Sequence, residues 1–418
     1  MMSFLYNIII TIARLFLQII ALFNKKISLF IDGRKDTFQK LSNGISSNDK
    51  TIWIHCASLG EFEQGRPIIE RIKNDYKTHK IVLTFFSPSG YEVQKNYDHV
   101  DVVCYLPLDT KSNARRFIEM THPEIAIFVK YEFWPNILKE LKKNKIETIL
   151  VSGIFRKDQI FFKLFGSWMR KSLQSFSHFF VQDKNSKNLL ESIDIKKVTI
   201  SGDTRFDRVH EIPLQDNTLN FIEEFKQDQL IFVAGSTWKE DEEMLVNYIN
   251  NEASENDKFI FAPHNIKEQG IKRLYDSINK KTVLFSEKEN QNIEDFQVLI
   301  LDTIGILTRV YSYADIAYVG GGFETGLHNV LEPATFGVPI LIGPKYQKFN
   351  EAVDLVHNGG CVVVENSDEM KILLRRLFSD AEFRKEKGSI SEKYIKDNIG
   401  ATDMVLEYIS TKLQMYGA

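Results

Sequence analysis

Cysteine is scarce in this 418-residue chain. Cys56, Cys104 and Cys361 are an odd number, far apart and without paired spacing, which argues against a disulfide framework or a cysteine zinc site and fits a reducing compartment. Charge of one sign is lacking too. The 53 basic residues stand against 56 acidic ones, a formal net charge of −3, so the overall balance attracts no polyanion. The chain has no tandem repeat, no low-complexity tract and no GxxxxGK[ST] phosphate loop. What is present, 43% hydrophobic and 26% charged residues, is ordinary globular material, too long for one core and suited to two domains.

The N-terminus departs from that average. Residues 4–23, FLYNIIITIARLFLQIIALF, are long enough to span a bilayer, which takes about 20 residues. The Ile, Leu and Phe side chains, at roughly −0.3 to −0.6 kcal/mol each, outweigh the roughly +2.5 to +3.5 kcal/mol of a central Arg14. Asn7, Thr11, Arg14 and Gln18 recur every three or four residues and form one polar stripe, which suits a helix lying in the headgroup plane equally well. No basic segment precedes the run and no small-residue cleavage site follows it, so it reads poorly as a secretory signal. A first cysteine at 56 is too late for a lipoprotein anchor. Lys25, Lys26, Arg34 and Lys35 follow the run, and by the positive-inside bias the body of the chain stays in the cytoplasm.

From residue 50 short apolar runs alternate with helical stretches. TIWIHCA, KIVLTFF, VDVVCYL, EIAIFV, TILVSG, HFFVQ and KVTISG form one series. LIFVAGST, KFIFAPH, TVLFS, QVLILD, DIAYVGGG, PILIG and CVVVE form a second. Such runs separated by helices predict parallel sheets with helices on both faces. Between the series DTRFDRVHEIPLQDN is polar and strandless, the expected linker. The expectation is an α/β chain of two Rossmann-like domains. A membrane helix covers 1–28, the first domain 29–208, the second 209–400, and a C-terminal helix over 401–418 packs back on the first domain. Ligands of open α/β sheets bind beyond the carboxyl ends of the strands, so a cleft faced by both domains is the expected site.

Residues 320–344, GGGFETGLHNVLEPATFGVPILIGP, follow one such strand end. The glycines permit close backbone approach, and a helix starting near His328 or Asn329 offers free N–H groups to a phosphate. Glu332, one turn in, is placed to accept from ribose hydroxyls. That describes a nucleotide-sugar site, although glycines that only tighten a turn beside a solvated Glu332 would leave the same pattern.

Other motifs bear on that choice. HCASLGE (55–61) resembles the His-x-x-Ser-x-Gly-Glu signature of the 3-deoxy-D-manno-oct-2-ulosonic acid (Kdo) transferases. YEFWPN (131–136) resembles their Glu-x-Trp-Pro-Asn motif, and HNVLEPATFGVPILIGP their Asn-Pro-Leu-Glu-Pro-Ala-x-x-Gly-x-Pro stretch. GSTWKEDEE, LDTIGIL and GDTRFD fall in the family's order. The similarity runs from about residue 30 to about residue 365. It implies a two-domain glycosyltransferase of the GT-B type at the inner membrane, with its catalytic domains on the cytoplasmic side. The implied donor is CMP-Kdo and the implied acceptor lipid IVA, the tetraacylated lipid A precursor of lipopolysaccharide synthesis. The anomeric centre is inverted, and neither metal nor other cofactor is needed; a nucleoside monophosphate leaves with less charge than a diphosphate. Nucleic acid is not an implied partner.

The resemblance assigns residues as well. Glu61 matches the catalytic Glu, a base for the acceptor hydroxyl, although Ser58-x-x-Glu61 also spells a helix capping box. Glu132 matches the Glu of the second motif and positions the acceptor or supports Glu61; Trp134 reads as packing. Donor contacts fall on Ser236, Thr237, Pro263, His264, Ile304, Gly305, Ile306, Asn329, Val330, Leu331 and Glu332. Two departures stand out. The family's Pro-Arg-His is Pro263-His264-Asn265 here, which removes a guanidinium fork. Its Met-Gly-Glu is Ile304-Gly305-Ile306, which removes a carboxylate. On the acceptor side, 153–176 mixes Phe155, Phe161, Phe162, Phe165, Trp168 and Met169 with Arg156, Lys157, Lys163, Arg170 and Lys171, a composition that suits acyl chains and lipid phosphates. A core helix with a solvated basic face is the plainer alternative. Competing readings of the whole chain are a GT-B transferase using a UDP-sugar, a two-lobed periplasmic solute-binding protein, and a nucleotide-sugar epimerase.

Overall fold

The computed structural model describes residues 2–289, 291–324 and 326–417, and the side chains at 2, 3, 14 and 415–417 lie outside the described residues, Arg14 of the polar stripe among them. The first series of apolar runs forms β1 (Lys50–Cys56), β2 (His79–Phe85), β3 (Val102–Tyr105), β4 (Ile125–Val129), β5 (Glu147–Gly153), β6 (His178–Val181) and β7 (Val198–Ile200). They pair in parallel in the order β3-β2-β1-β4-β5-β6-β7. Alternate residues supply opposite faces. Trp53, Val82, Ala126, Phe128 and Leu150 pack into one core, whereas Ile52, Ile54, Ile81, Leu83, Ile125 and Ile127 pack into the other. A strand buried on both faces has to be apolar throughout, which is why β4 reads IAIFV. Each such side chain stabilises the fold by roughly 1.5–3 kcal/mol.

The second series forms β8 (Ile231–Thr237), β9 (Lys258–Pro263), β10 (Thr282–Leu284), β11 (Val298–Ile300), β12 (Ile316–Val319), β13 (Ile340–Ile342) and β14 (Cys361–Val363). Their parallel order is β10-β11-β9-β8-β12-β13-β14, with Phe232, Ala234 and Phe261 on one face and Val233, Ile260 and Leu299 on the other. In both sheets the chain starts in the middle, fills one edge, then returns to the far side of its first strand. The order therefore reverses between β1 and β4 and between β8 and β12. Ligands of open α/β sheets bind at such reversals.

Two compact units result. One holds the residues up to Arg208 and those from Asn398 on; the other is Val209–Asp397. The passage between them differs from the polar linker expected over 203–217. It is a helix, Arg205–His210, and a short turn, Ile212–Leu214. Phe206, Val209 and Ile212 are buried, and that apolar spacing is hidden among charges in the sequence. Asp207 of this helix caps the helix Ala401–Gly417, accepting from Gly400 N at 2.5 Å and from Thr402 N and Oγ1 at 2.7 Å each. Val405, Leu406, Ile409 and Leu413 then pack into the core beneath β1 and β4.

The helix Met2–Ala21 is long and apolar enough to cross a membrane by length and composition. Of its polar stripe, Asn7 is half-buried while Thr11 and Gln18 are exposed, so the stripe as a whole is not the face turned to protein. Tyr6, Asn7, Ile10, Ala13, Leu17 and Ala21 are half-buried instead.

Candidate active site

β1 ends at Cys56, and the chain turns through Ala57 and Ser58 into the helix Leu59–Asp75. Gly65 lets this helix press on the strand, since a Cβ there would come within 2.9 Å of the Cys56 sulfur. The reciprocal capping box does not form: Ser58 makes no side-chain cap bond. Glu61 turns back toward the strand end and accepts from Ala57 N at 2.5 Å. Its side chain is buried at the β1/β4 reversal. Burial, and behind it the Glu132 carboxylate, push the Glu61 carboxyl up to about 7, against smaller opposing effects from the Ala57 N–H and the Lys130 charge. A carboxylate there is a base tuned near neutrality.

Glu132 lies just past β4, on the other side of the same reversal. Lys130 takes a backbone φ of +69°, uncommon for a residue with a Cβ, and the turn it makes leads into Glu132. Glu132 Oε2 accepts from Trp134 Nε1 at 2.8 Å and lies 3.2 Å from His55 Nε2. His55, buried in β1, holds its Nδ1 at 2.8 Å from Thr84 Oγ1 and 3.1 Å from the Thr84 carbonyl. Trp134, read from sequence as packing, thus holds Glu132 through its N–H while also packing at a tilt against Phe86, ring centres 4.5 Å apart. The sequence reading gives His55 no role. The signal was available: a histidine near the end of a buried strand, opposite Thr84 of β2 in register.

The second sheet gathers most of the residues expected to contact the donor at its own reversal. Ser236, at φ +54°, and Thr237 close β8. Thr237 accepts the His264 N–H at 2.9 Å on its carbonyl and donates from Oγ1 to Glu242 at 3.2 Å. The Trp238 ring stacks on His264 at 4.6 Å, and His264 lies 4.5 Å from His328. Trp238 Nε1 donates to His328 Nε2 at 3.2 Å. Burial, then His264, lower His328 to about 4, which keeps it a neutral acceptor. Asp241 ties the two loops of the reversal together, accepting from Trp238 N at 2.8 Å, Gly321 N at 3.0 Å and Tyr318 OH at 2.5 Å. Gly320 is required here, because a Cβ would come within 2.4 Å of the Ser236 carbonyl oxygen.

The stretch 328–332 differs from expectation. The helix starts at Leu331, not at His328 or Asn329, and runs only to Thr335, so five residues replace the anticipated phosphate-binding helix. The Asn329 side chain competes for the backbone, taking the Leu331 N–H at 3.1 Å. Glu332 is not simply solvated: its carboxylate accepts from Thr308 Oγ1 at 2.8 Å and Asn329 Nδ2 at 3.0 Å. The Thr308 bond ties Glu332 to the helix Leu307–Val310 that follows the 304–306 loop. Val330 and Leu331 bury their side chains in the core, so neither presents a side chain to a donor. Pro263 closes β9; Ile304 is 77% exposed, Gly305 has φ +91°, and Ile306 packs on the core. Beside Thr237 and Trp238, a pocket is lined by Asn265, Lys267 and Arg273. Arg273, paired with the buried Glu242, is a guanidinium the sequence reading missed.

The acceptor-side stretch divides. Phe155 and Phe161 are core side chains. Arg170, expected to face lipid, instead donates from Nη1 to the Phe161 and Lys163 carbonyls at 2.9 and 3.0 Å and closes the 160–166 turns. Trp168 is half-buried, its ring 6.0 Å from Tyr6. Arg156 and Lys171 are exposed and Lys163 half-exposed. Leu164 and Phe165 point outward, 99% and 70% exposed. Among the described residues no three His, Cys, Asp or Glu side chains group as metal ligands would.

Residues 33–208 match the family described as 3-Deoxy-D-manno-octulosonic-acid transferase (kdotransferase). The 3-deoxy-D-manno-octulosonic acid transferase of Haemophilus influenzae is 26% identical over 383 residues, 87% of this chain and 87% of that one. Its namesake in Aquifex aeolicus is 29% identical, over 78% of this chain and 86% of that relative. Among solved structures, UDP-GlcNAc 2-epimerase of Neisseria meningitidis, bound to UDP-GlcNAc, superposes with a TM-score of 0.62 at 14% identity, covering 87% of this chain and all of that one; this likeness concerns the fold alone. The family match thus covers the first sheet and its helices, and the relatives that align along most of the chain are Kdo transferases.

Proposed function

We propose that this protein transfers Kdo from CMP-Kdo to lipid IVA at the cytoplasmic face of the inner membrane, with inversion and without a metal. The observation that carries it is Glu61, a buried carboxyl raised to about 7 at the point where the strand order of its sheet reverses. In the reaction the acceptor hydroxyl gives its proton to Glu61 as its oxygen attacks the anomeric carbon. The bond from that carbon to the phosphate oxygen breaks, and CMP leaves with the electron pair. Glu132, fixed by Trp134 and His55, raises the proton affinity of the Glu61 carboxylate and supplies a second acceptor for the incoming sugar.

On the donor side Asn329 and Glu332 serve the ribose and phosphate, with backbone around Gly305. Lys267, and Arg273 paired with Glu242, line a pocket with Asn265, the residue after His264, and offer a guanidinium near the position where the family's Arg is missing. A monophosphate leaving group needs only such donors to stabilise its developing charge. The helix Met2–Ala21 and the outward Leu164–Phe165 tip suit a protein that meets a lipid acceptor. Incubating the purified protein with lipid IVA and CMP-Kdo, and reading product masses, tests donor, acceptor and number of transfers together. Transfer from UDP-sugars but not CMP-Kdo would overturn the reading.

A further inference from the structure

The N-terminal helix is apolar enough to span a bilayer, yet its contacts are those of a helix lying alongside a domain. Near its start, Tyr6 donates its hydroxyl proton to Asp109 Oδ2 at 2.8 Å. Asn7 Oδ1 accepts from Asn136 Nδ2 at 3.1 Å. Asp109 is buried and also holds the first turn of the helix Pro135–Lys143, through Asn136 N at 3.0 Å and Ile137 N at 2.9 Å. Beyond the far end, Arg34 ties the chain to the same sheet edge, donating to the Leu106 carbonyl at 3.0 Å and the Phe86 carbonyl at 2.7 Å. The start of the helix is therefore held at the carboxyl edge of the first sheet, and the chain returns to that edge at Arg34 after the short helix Lys25–Asp32; the half-buried residues recur every three or four positions from Tyr6 to Ala21.

A 20-residue helix is about 30 Å long, the thickness of the hydrocarbon core. Were it to span, residues 6 and 7 would lie on the opposite side of the bilayer from Arg34, and Asp109 and Asn136 could not reach them. The rest of the surface fits a lipid interface. At 3.6 residues per turn, the outward face carries Phe4, Ile8, Ile12, Leu15, Phe16 and Ile19, all exposed. Thr11 and Gln18 run along the seam between that face and the domain, where headgroups and water would meet them. Next to Tyr6, Trp168 leads back to the exposed tip Leu164–Phe165, flanked by Lys163 and Lys171, whose charges complement anionic headgroups.

We infer that the helix Met2–Ala21 lies in the plane of the membrane interface rather than across it, held to the domain by Tyr6–Asp109 and Asn7–Asn136. Its outer face and the Leu164–Phe165 tip enter the same anionic leaflet. This rests on the membrane attachment proposed above and adds its geometry. The surface so placed is the sheet edge that carries Phe86, Trp134 and Glu132, so a lipid-borne acceptor reaches the carboxylates while its acyl chains stay in the leaflet.

Depth measurement on the full chain decides the matter. The three native cysteines are buried, so single cysteines introduced by Phe4→Cys and Leu15→Cys take a nitroxide label selectively. These positions share a side of the helix and lie about 16 Å apart along it. In vesicles of phosphatidylethanolamine and phosphatidylglycerol, collision with oxygen and with a water-soluble nickel complex reports depth. An in-plane helix gives equal depths, roughly 5–10 Å into the headgroup and acyl boundary. A label at Leu15 near the bilayer centre with one at Phe4 near a surface overturns the inference, as does exclusion of both quenchers, which would mean a second copy covers this face. Tyr6→Phe combined with Asn7→Leu should let the two depths diverge; an unchanged profile removes the latch. None of these readings depends on transfer, so a failure of the proposed reaction leaves the topology separately decided.

Discussion

Trp134 donates its indole N–H to Glu132 Oε2 at 2.8 Å, with His55 Nε2 on the same oxygen at 3.2 Å. A Trp-Pro pair that begins the helix Pro135–Lys143 thereby fixes a carboxylate two residues earlier. The consequence falls on Glu61 across the strand reversal, because the Glu132 charge is one of the two causes that raise it.

Removing that charge should move the pH dependence. For Glu132→Gln the limb of kcat/KM that reports Glu61, expected near 7 in the parent, should shift to lower pH, since only burial then opposes ionisation of Glu61. Trp134→Phe, which keeps the ring against Phe86 but deletes the donor, should shift the limb less and lower kcat by roughly tenfold, the order expected for loosening a positioned group. A limb unmoved in Glu132→Gln would mean the two carboxylates do not communicate.

Glu61→Gln separates catalysis from stability. Transfer should fall roughly 10²- to 10⁴-fold, the usual worth of a general base. Stability should move the other way. The Glu61 value rises from 4.5 to about 7 on folding, so between those pH values the folded chain keeps a proton that the unfolded chain releases. Its contribution is complete below about 4.5 and is lost as pH rises through 7, at most about 3 kcal/mol in all. Glu61→Gln should therefore raise Tm relative to the parent at pH 8 and leave it unchanged at pH 4, read by thermal unfolding at the two pH values. Equal stability at pH 8 would place the carboxyl in a wetter setting than its burial indicates.

On the donor side, CMP should protect the protein against thermal unfolding far better than UDP, and EDTA should leave transfer intact. Asn329→Ala and Glu332→Ala should weaken CMP protection by several-fold in apparent Kd. Thr308→Val should do so too, because it frees the Glu332 carboxylate from its 2.8 Å bond. Ile306→Val, a change inside the core packing, should do little. Equal protection by UDP would count against a CMP-sugar donor.

How much of this was legible depended on whether a residue's role is local. The strands were, because a strand buried on both faces must be an unbroken apolar run, and IAIFV admits few other readings. Glu61 stood out through its motif, although the same letters spell a capping box; in the structure Ser58 makes no cap bond while Glu61 still accepts a backbone N–H, from Ala57. The 328–332 stretch was misread because Asn329 spends its side chain on the Leu331 amide and delays the helix, a competition no periodicity reveals. His55 acquires meaning only from Thr84 and Glu132, 29 and 77 residues away. Arg170 looked like part of a basic patch because a guanidinium that closes its own loop and one that meets phosphate leave the same letter in the sequence.

That last distinction can be tested directly. Lys163→Ser with Lys171→Ser removes two charges from the rim proposed to face lipid without touching a backbone bond. At about 1 kcal/mol per charge near an anionic surface, vesicle binding should weaken by roughly 30-fold at low ionic strength. The difference should vanish in high salt, where the Debye length is only about 3 Å at 1 M, and Tm should stay put. Arg170→Ser should behave in the opposite way. It deletes the donor to the Phe161 and Lys163 carbonyls, so stability should drop by about 1–3 kcal/mol, with salt dependence of binding almost unaltered. Vesicle sedimentation across a salt series, paired with thermal unfolding, reads both. If Arg170→Ser instead reproduced the lysine pair, with weakened salt-sensitive binding and a normal Tm, its carbonyl contacts would be incidental and its charge would belong to the membrane surface after all.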